Sequence, residues 1–490
     1  MMSRRTIRRV ALGIVITFLL FFLVSARSHA ATPITLDYYR SQTIQWQACS
    51  DGFQCGTFTV PVDYSHITAD HFTLRIIRRP ATNTKERLGS LIVNPGGPGA
   101  SAIEYAAAAT LIVSKNIYDR YDIVGFDERG VGQSDPIRCL SDKGEDALLS
   151  GDGTINSQAE LADLIKSAKN FASSCAKAAG TKLGHYSTLE SARDMDLLRS
   201  ILGEKKLNYL GKSYGTYLGT IYASLYPQNV GKMVLDGAMD PRESVRNQAL
   251  YQSVGFELAL DTYLKSNKDV SKSEILKFLT ALRKQPLKAN GGRFLTESYA
   301  ITGIASSLYD NTTGWPDLTD ALTQAIKKSN PNPLLALSDG YYQRNSSGHY
   351  TSNQNDISEV ISCLDFVDPQ TPAQMYADRS VFAKAAPVFG PYLVFSSIIC
   401  RYWQAPAQPL KDYSGLAKTP PILIIGVTRD PATPYQWAKS LHVDIAHSTL
   451  LTYNGDGHTG HNRGSSCIDS KVDAYLLTGK PPVGKNYCSA

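Results

Sequence analysis

Gly211-Lys212-Ser213-Tyr214-Gly215 decides how this chain reads. The apolar run Leu207-Asn208-Tyr209-Leu210 enters it with strand character, and Thr216 to Tyr226 leaves it with helical patterning. Strand, sharp Gly-x-Ser-x-Gly turn and helix together describe a nucleophile elbow. The two glycines let the backbone turn without a Cβ clash, so the Ser213 hydroxyl is expected to project above the sheet edge. The adjoining helix N-terminus leaves free N–H groups that favour developing negative charge. An ordinary β–α turn shares this pentapeptide, so the reading depends on what surrounds it. A phosphate-binding loop also ends in Gly-Lys-Ser, but it needs a glycine where this chain has Lys206. The nucleotide-hydrolysing class is thereby excluded.

Upstream, Gly89-Ser90-Leu91-Ile92-Val93 is a buried-strand run that opens into Asn94-Pro95-Gly96-Gly97-Pro98-Gly99. A glycine-proline cluster at a strand's end makes a loop whose backbone N–H groups can approach a ligand closely. Gly97 and Tyr214 are the expected donors of an oxyanion hole, with Gly96 the substitute for Gly97; a plain tight turn is the alternative. Tyr121 to Phe126 forms the strand between this loop and the elbow. It leads into the charged turn Asp127-Glu128-Arg129-Gly130-Val131-Gly132-Gln133-Ser134, read as structural because a triad acid should follow the serine. Residues 31–80 read as short strands and turns, Phe72 to Ile77 among them. Ser191 to Leu202 is an amphipathic helix ended by Gly203, and Lys232 to Gly237 holds another short strand. The β-α-β-α-β order calls for an α/β fold, a mainly parallel sheet flanked by helices.

Downstream the character changes. Residues 241–400 lack comparable strand runs and read as helices, such as Lys272 to Arg283 and Trp315 to Lys328; strand patterning resumes at Pro421 to Gly426. The expected organisation is therefore an export signal over 1–30, a first core segment over 31–240, a helical lid insertion over 241–400 and a C-terminal core segment over 401–490. Ile422 to Gly426 runs into Val427-Thr428-Arg429-Asp430-Pro431, which puts Asp430 where a triad acid belongs; a turn or cap aspartate is the alternative. The last long strand run, Leu450 to Tyr453, opens into Asn454-Gly455-Asp456-Gly457-His458-Thr459-Gly460-His461. His458 is the expected general base, with His461 the second choice. Each of these three residues is unremarkable alone; the order Ser, Asp, His, each after a strand, is the signal.

Arg4, Arg5, Arg8 and Arg9 precede the apolar run Val10 to Val24, and Ser28-His29-Ala30 offers a cleavage site after Ala30. An uncleaved membrane anchor is the alternative, although the run is short for a full span. The first 30 residues hold five arginines and no acid, so without them the formal charge of +6 falls by five to about +1. Nucleic acid is not implied as a partner. All eight cysteines follow this segment, and in an exported protein they are expected to be disulfides. Of the 105 possible pairings, the neighbour set Cys49–Cys55, Cys139–Cys175, Cys363–Cys400 and Cys467–Cys488 keeps each loop within one expected unit. No Cys-x-x-Cys or paired-histidine spacing suggests a metal.

With these residues read, the chain resembles the secreted tripeptidyl-aminopeptidase-like branch of the α/β-hydrolases, related to proline iminopeptidases. The resemblance rests on Asn94 to Gly99, Gly125 to Gly132, Gly211 to Tyr217, Asp430 to Pro434 and Gly457 to Gly460, and extends through Tyr475-Leu476-Leu477 and Gly479 to Pro482 between Cys467 and Cys488. No motif covers the insertion. Proline iminopeptidases carry a histidine where this chain has Asn94, which favours the secreted branch. The resemblance implies serine acyl transfer by Ser213, His458 and Asp430 without metal or organic cofactor, acting on peptides with a free N-terminus. Such a substrate needs acidic partners for its ammonium, and Glu104, Asp240, Glu243 and Glu257 are candidates by position. An esterase would use the same triad, and a non-catalytic binding protein is the third possibility.

Overall fold

A computed structural model of the protein describes residues 34–489 apart from 51 and 368. The expected export signal lies outside the described residues. Among the described residues ten strands form one sheet: β1 Gln47–Ser50, β2 Phe53–Pro61, β3 His71–Arg79, β4 Ser90–Asn94, β5 Asp122–Phe126, β6 Leu207–Lys212, β7 Val230–Asp236, β8 Ile422–Arg429, β9 Ser448–Asp456 and β10 Tyr487–Ser489. Their spatial order is β1-β2-β3-β5-β4-β6-β7-β8-β9-β10. The first three pair antiparallel and β3 meets β5 antiparallel; from β5 to β10 every pairing is parallel. Parallel strands are covered on both faces, which is why β4 and β5 are buried throughout and read as unbroken apolar runs.

The crossover that sets β4 directly beside β6 matters for function. Asn94 is in register with Gly211, so the glycine-proline loop and the elbow leave adjacent strands at the same edge of the sheet. Lys212 is in register with Asp236, and Gly426 with Thr452, so the loops after β7, β8 and β9 open on that edge too. Loops at the carboxyl ends of parallel strands are where α/β sheets hold their sites.

Between β7 and β8 the chain forms eight helices among the described residues, from Val245–Ser266 to Gly390–Leu393, with a two-stranded ribbon pairing Leu287–Lys288 with Phe294–Leu295. These helices bury a core of their own, including Leu260, Ile275, Leu295, Ile304, Leu318 and Leu334. Each such side chain contributes about 1.5–3 kcal/mol by leaving water, enough to order a unit that contains almost no sheet. Ala432, two residues past Asp430, packs into that same core. Four disulfides link Cys49–Cys55, Cys139–Cys175, Cys363–Cys400 and Cys467–Cys488 and leave no free cysteine among the described residues. No described helix is long and apolar enough to cross a membrane.

Candidate active site

Ser213 stands between β6 and the helix Tyr214–Leu225, with φ 55° and ψ −125°. A non-glycine residue held there costs on the order of 1–3 kcal/mol, and such strain persists only where the surroundings enforce it. Here they do: Ser213 N–H donates to the Asp236 carbonyl, and neighbouring glycines leave room for the turn. A Cβ on Gly215 would lie 2.7 Å from Asn94 Oδ1, and one on Gly96 (φ 100°) would lie 2.8 Å from Ser213 Cβ. Larger residues at either position would push the two loops apart.

Asp430 and His458 meet. His458 Nδ1 lies 2.8 and 3.0 Å from the two Asp430 carboxylate oxygens, and the Asp430 side chain is fully buried. The carboxylate also accepts the N–H groups of Ala432, Thr433 and Thr459 at 2.8–3.1 Å. With Nδ1–H donating to Asp430, Nε2 is left with its lone pair; it is buried and has no partner among the described residues. His458 and Ser213 line one cavity of about 650 Å³. The helical insertion steadies the imidazole: the Tyr309 carbonyl accepts His458 N–H at 2.9 Å, and the Tyr309 ring meets the imidazole edge-on at 5.1 Å.

His461 is not brought to Asp430. It is buried, and desolvation with the nearby Lys212 charge holds its imidazole down to about 3, so it stays neutral. Its backbone serves the loop instead. The Asp236 carboxylate accepts Gly460 N–H at 2.7 Å and His461 N–H at 3.0 Å, while Lys212 Nζ donates to the His461 carbonyl at 2.8 Å and lies 3.8 Å from Asp236. Burial pushes the Lys212 ammonium down and the Asp236 carboxyl up. The motif lysine thus ties the elbow to the histidine loop, a role the sequence did not disclose.

Gly96 N–H already donates to Asn94 Oδ1 at 2.9 Å, so Gly96 is no substitute oxyanion donor. Gly97 N–H has no acceptor among the described residues, and Tyr214 N–H, first in its helix, has no intrahelical one. Gly97, Ser213 and Tyr214 line a second cavity, of about 240 Å³. Asp127 binds Ser101 Oγ and the N–H groups of Ile103 and Gln133, and Arg129 forms a fully buried pair with Asp194 at 2.7 Å. Neither lines a cavity with Ser213.

None of the four acids that are candidates only by position, and that the sequence does not single out as a site, lines either cavity. Glu104 is exposed on its helix, Asp240 accepts Arg242 N–H at 2.9 Å, Glu243 lies outside both linings, and Glu257 is taken by Lys272 at 2.5 Å. Three others line the larger cavity: Glu145, Asp356 and Glu359. Burial, with Asp356 beside it, raises the Glu145 carboxyl to about 7; burial raises Asp356 to about 6 and Glu359 to about 7. Glu145 Oε1 and Asp356 Oδ1 are buried without partners among the described residues. Sequence reading missed them because Glu145 comes from the helix Asp142–Leu149, about 210 residues before its neighbours on Gln354–Asp365. Glu359 also gathers with Cys363 and Cys400, but both sulfurs are committed to a disulfide and offer no thiolate to a metal.

The chain is similar to known hydrolases along most of its length. A family described as TAP-like protein matches residues 386–488. Serine protease Hip1 of Mycobacterium tuberculosis is 34% identical over 480 residues, 91% of each chain. Tripeptidyl aminopeptidase of Streptomyces lividans is 32% identical over 462 residues, 89% of this chain and 85% of that one. Carboxylesterase B of Mycobacterium tuberculosis is 35% identical over 457 residues, 89% and 86%. With identity at this level along nearly the whole chain and a strained serine at the edge of a mainly parallel sheet, the protein belongs to the tripeptidyl-aminopeptidase-like family of α/β-hydrolases and is a serine hydrolase.

Proposed function

We propose that the protein is an exported exopeptidase that releases single residues or short peptides from free N-termini, with Ser213, His458 and Asp430 as its triad. The observation that carries the exopeptidase reading is the trio Glu145, Asp356 and Glu359 on the cavity shared by Ser213 and His458. An α-ammonium entering there gains charge-assisted hydrogen bonds and draws the three carboxyls to their ionised form. A neutral acyl chain gains nothing from them.

In this mechanism His458 Nε2 takes the Ser213 proton as Oγ attacks the scissile carbonyl. Asp430 holds the imidazole tautomer and stabilises the imidazolium. The N–H groups of Gly97 and Tyr214 receive the oxyanion. His458 then gives the proton to the departing amine, and water, deprotonated by the same nitrogen, frees the acyl group and restores Ser213. Export is supported by the four disulfides, which persist in oxidising compartments; the signal over residues 1–30, cleaved after Ala30, is part of the same proposal.

The test compares chromogenic amides of free and N-acetylated mono-, di- and tripeptides with a simple acyl ester, using Ser213→Ala as blank. The expected result is Ser213-dependent cleavage of free amides, with kcat/KM at least about 100-fold above the acetylated ones, as loss of a charged partner in a buried site predicts. Turnover of the ester with no preference for a free amine would favour a carboxylesterase, the reading to which the relative named carboxylesterase B points.

A further inference from the structure

Behind the glycine-proline loop lies a buried polar contact that the triad mechanism does not use. The Asn94 carboxamide is fixed on every side. Its Oδ1 accepts Gly96 N–H at 2.9 Å, its Nδ2 donates to Glu128 Oε1, and the absent Cβ of Gly215 leaves the space in which it sits. Asn94 and Glu128 are both about 2% exposed, and Glu128 Oε2 has no partner among the described residues. One side chain thus touches the end of β4, the turn after β5 and the elbow helix. By occupying Gly96 N–H it takes that amide out of play and leaves Gly97 N–H, next in the loop and on the cavity with Ser213, without an acceptor among the described residues.

We propose that Glu128 and Asn94 are positioning residues for oxyanion stabilisation: Glu128 orients the Asn94 carboxamide, which locks Gly96 and so aims Gly97 N–H beside Ser213. The inference rests on the serine acyl-transfer reading but not on the choice between peptidase and esterase.

Glu128 is suited to this role in its neutral form. Burial, with Asp127 and Asp194 nearby, raises its carboxyl to about 8. The Arg129 guanidinium is engaged with Asp194 and does not neutralise it. The phenols of Tyr209 and Tyr214, which also face Glu128, are held well above their ordinary range by burial and do not titrate in the same interval. Ionisation of Glu128 would place an unpaired negative charge behind the loop that must receive an oxyanion, and acylation should slow.

The experiment measures kinact and KI for phosphonylation of Ser213 by a fluorophosphonate probe between pH 5.5 and 9.5. The probe carries no amine and needs no knowledge of the substrate. Asn94→Ala and Glu128→Ala are expected to lower kinact by about tenfold or more, the scale of a misaimed catalytic group, with KI within about threefold, since this loop acts on the transition state. The unaltered protein is expected to lose rate above about pH 8; Glu128→Gln, which retains an oxygen for Asn94 Nδ2, is expected to restore most of the rate and to show no such fall. Circular dichroism and thermal melting confine the comparison to folded variants. An unchanged kinact in Asn94→Ala, a Glu128→Gln variant as slow as Glu128→Ala, or an alkaline fall that survives in Glu128→Gln would each overturn the assignment. No labelling of the unaltered protein would overturn the triad itself, and this proposal with it; labelling without free-amine preference would overturn only the exopeptidase reading.

Discussion

The proposed roles of Ser213 and His458 depend on the residues that hold them in place. Asp430 spends its carboxylate on one imidazole and three backbone amides, so Asp430→Asn should preserve the loop while presenting the wrong imidazole tautomer. We expect kcat to fall by roughly 10³–10⁴-fold with little change in melting temperature, measured on the preferred amide; a loss under tenfold would contradict the role. Lys212 makes the opposite prediction. Lys212→Met leaves Asp236 buried without its cation and should cost about 3–5 kcal/mol of stability by denaturant unfolding, much of it recovered when Asp236→Asn is added. At this scale the sequence was legible for Ser213, Asp430 and His458 as members of an ordered pattern at strand ends. It was not legible for Lys212, whose meaning depends on strand register with Asp236, nor for Glu145, whose cavity partners arrive from a distant helix.

The element that governs substrate choice in this reading is the helix Gln354–Asp365. It carries Asp356 and Glu359 on the larger cavity and Asp365 on the smaller, and Cys363 bridges it to Cys400. Glu359→Gln should raise KM for free-amine peptides by about tenfold, the worth of one charged hydrogen bond, while fluorophosphonate labelling stays within about twofold; an equal change in both would mean that the helix, not the charge, was disturbed. Replacing Cys363 and Cys400 together by serine should cost about 3–4 kcal/mol, as expected for a loop of this length, visible as a lower melting temperature. Strands and the elbow were readable because two-sided burial writes continuous apolar runs. Helices of the insertion were readable only as helices: their periodicity reports the face turned to their own core and is silent about which acids face the serine.

At the scale of the whole molecule, several buried carboxyls set a common pH dependence. Glu128 is raised to about 8, Glu145, Glu359 and Asp365 to about 7, and Asp356 to about 6, in each case chiefly by burial. Between its unfolded pKa and its raised folded one, such a group binds more protons folded than unfolded, so stability is lost as pH rises through the window from about 4 to 8. His461, held down to about 3, acts the other way and costs stability as pH falls below about 6.5. Five groups oppose one, so the melting temperature should fall between pH 5.5 and pH 8.5, and Glu359→Gln should flatten the slope; a rise over that interval would contradict this balance. Over the lower half of the same interval KM for free-amine peptides should decrease with rising pH, since ammonium recognition needs the ionised acids. Stability and substrate capture therefore pull toward opposite pH.

The four disulfides occupy successive intervals along the chain that neither nest nor cross. A polypeptide threaded N-terminus first through a narrow passage meets its cysteines in that same order. Each thiol finds its mate as the next to emerge, and no half-finished bridge has to wait for a distant segment. Under the proposed export, oxidation can keep pace with delivery, and the simplest rule, pairing each cysteine with the first one available, yields the native set.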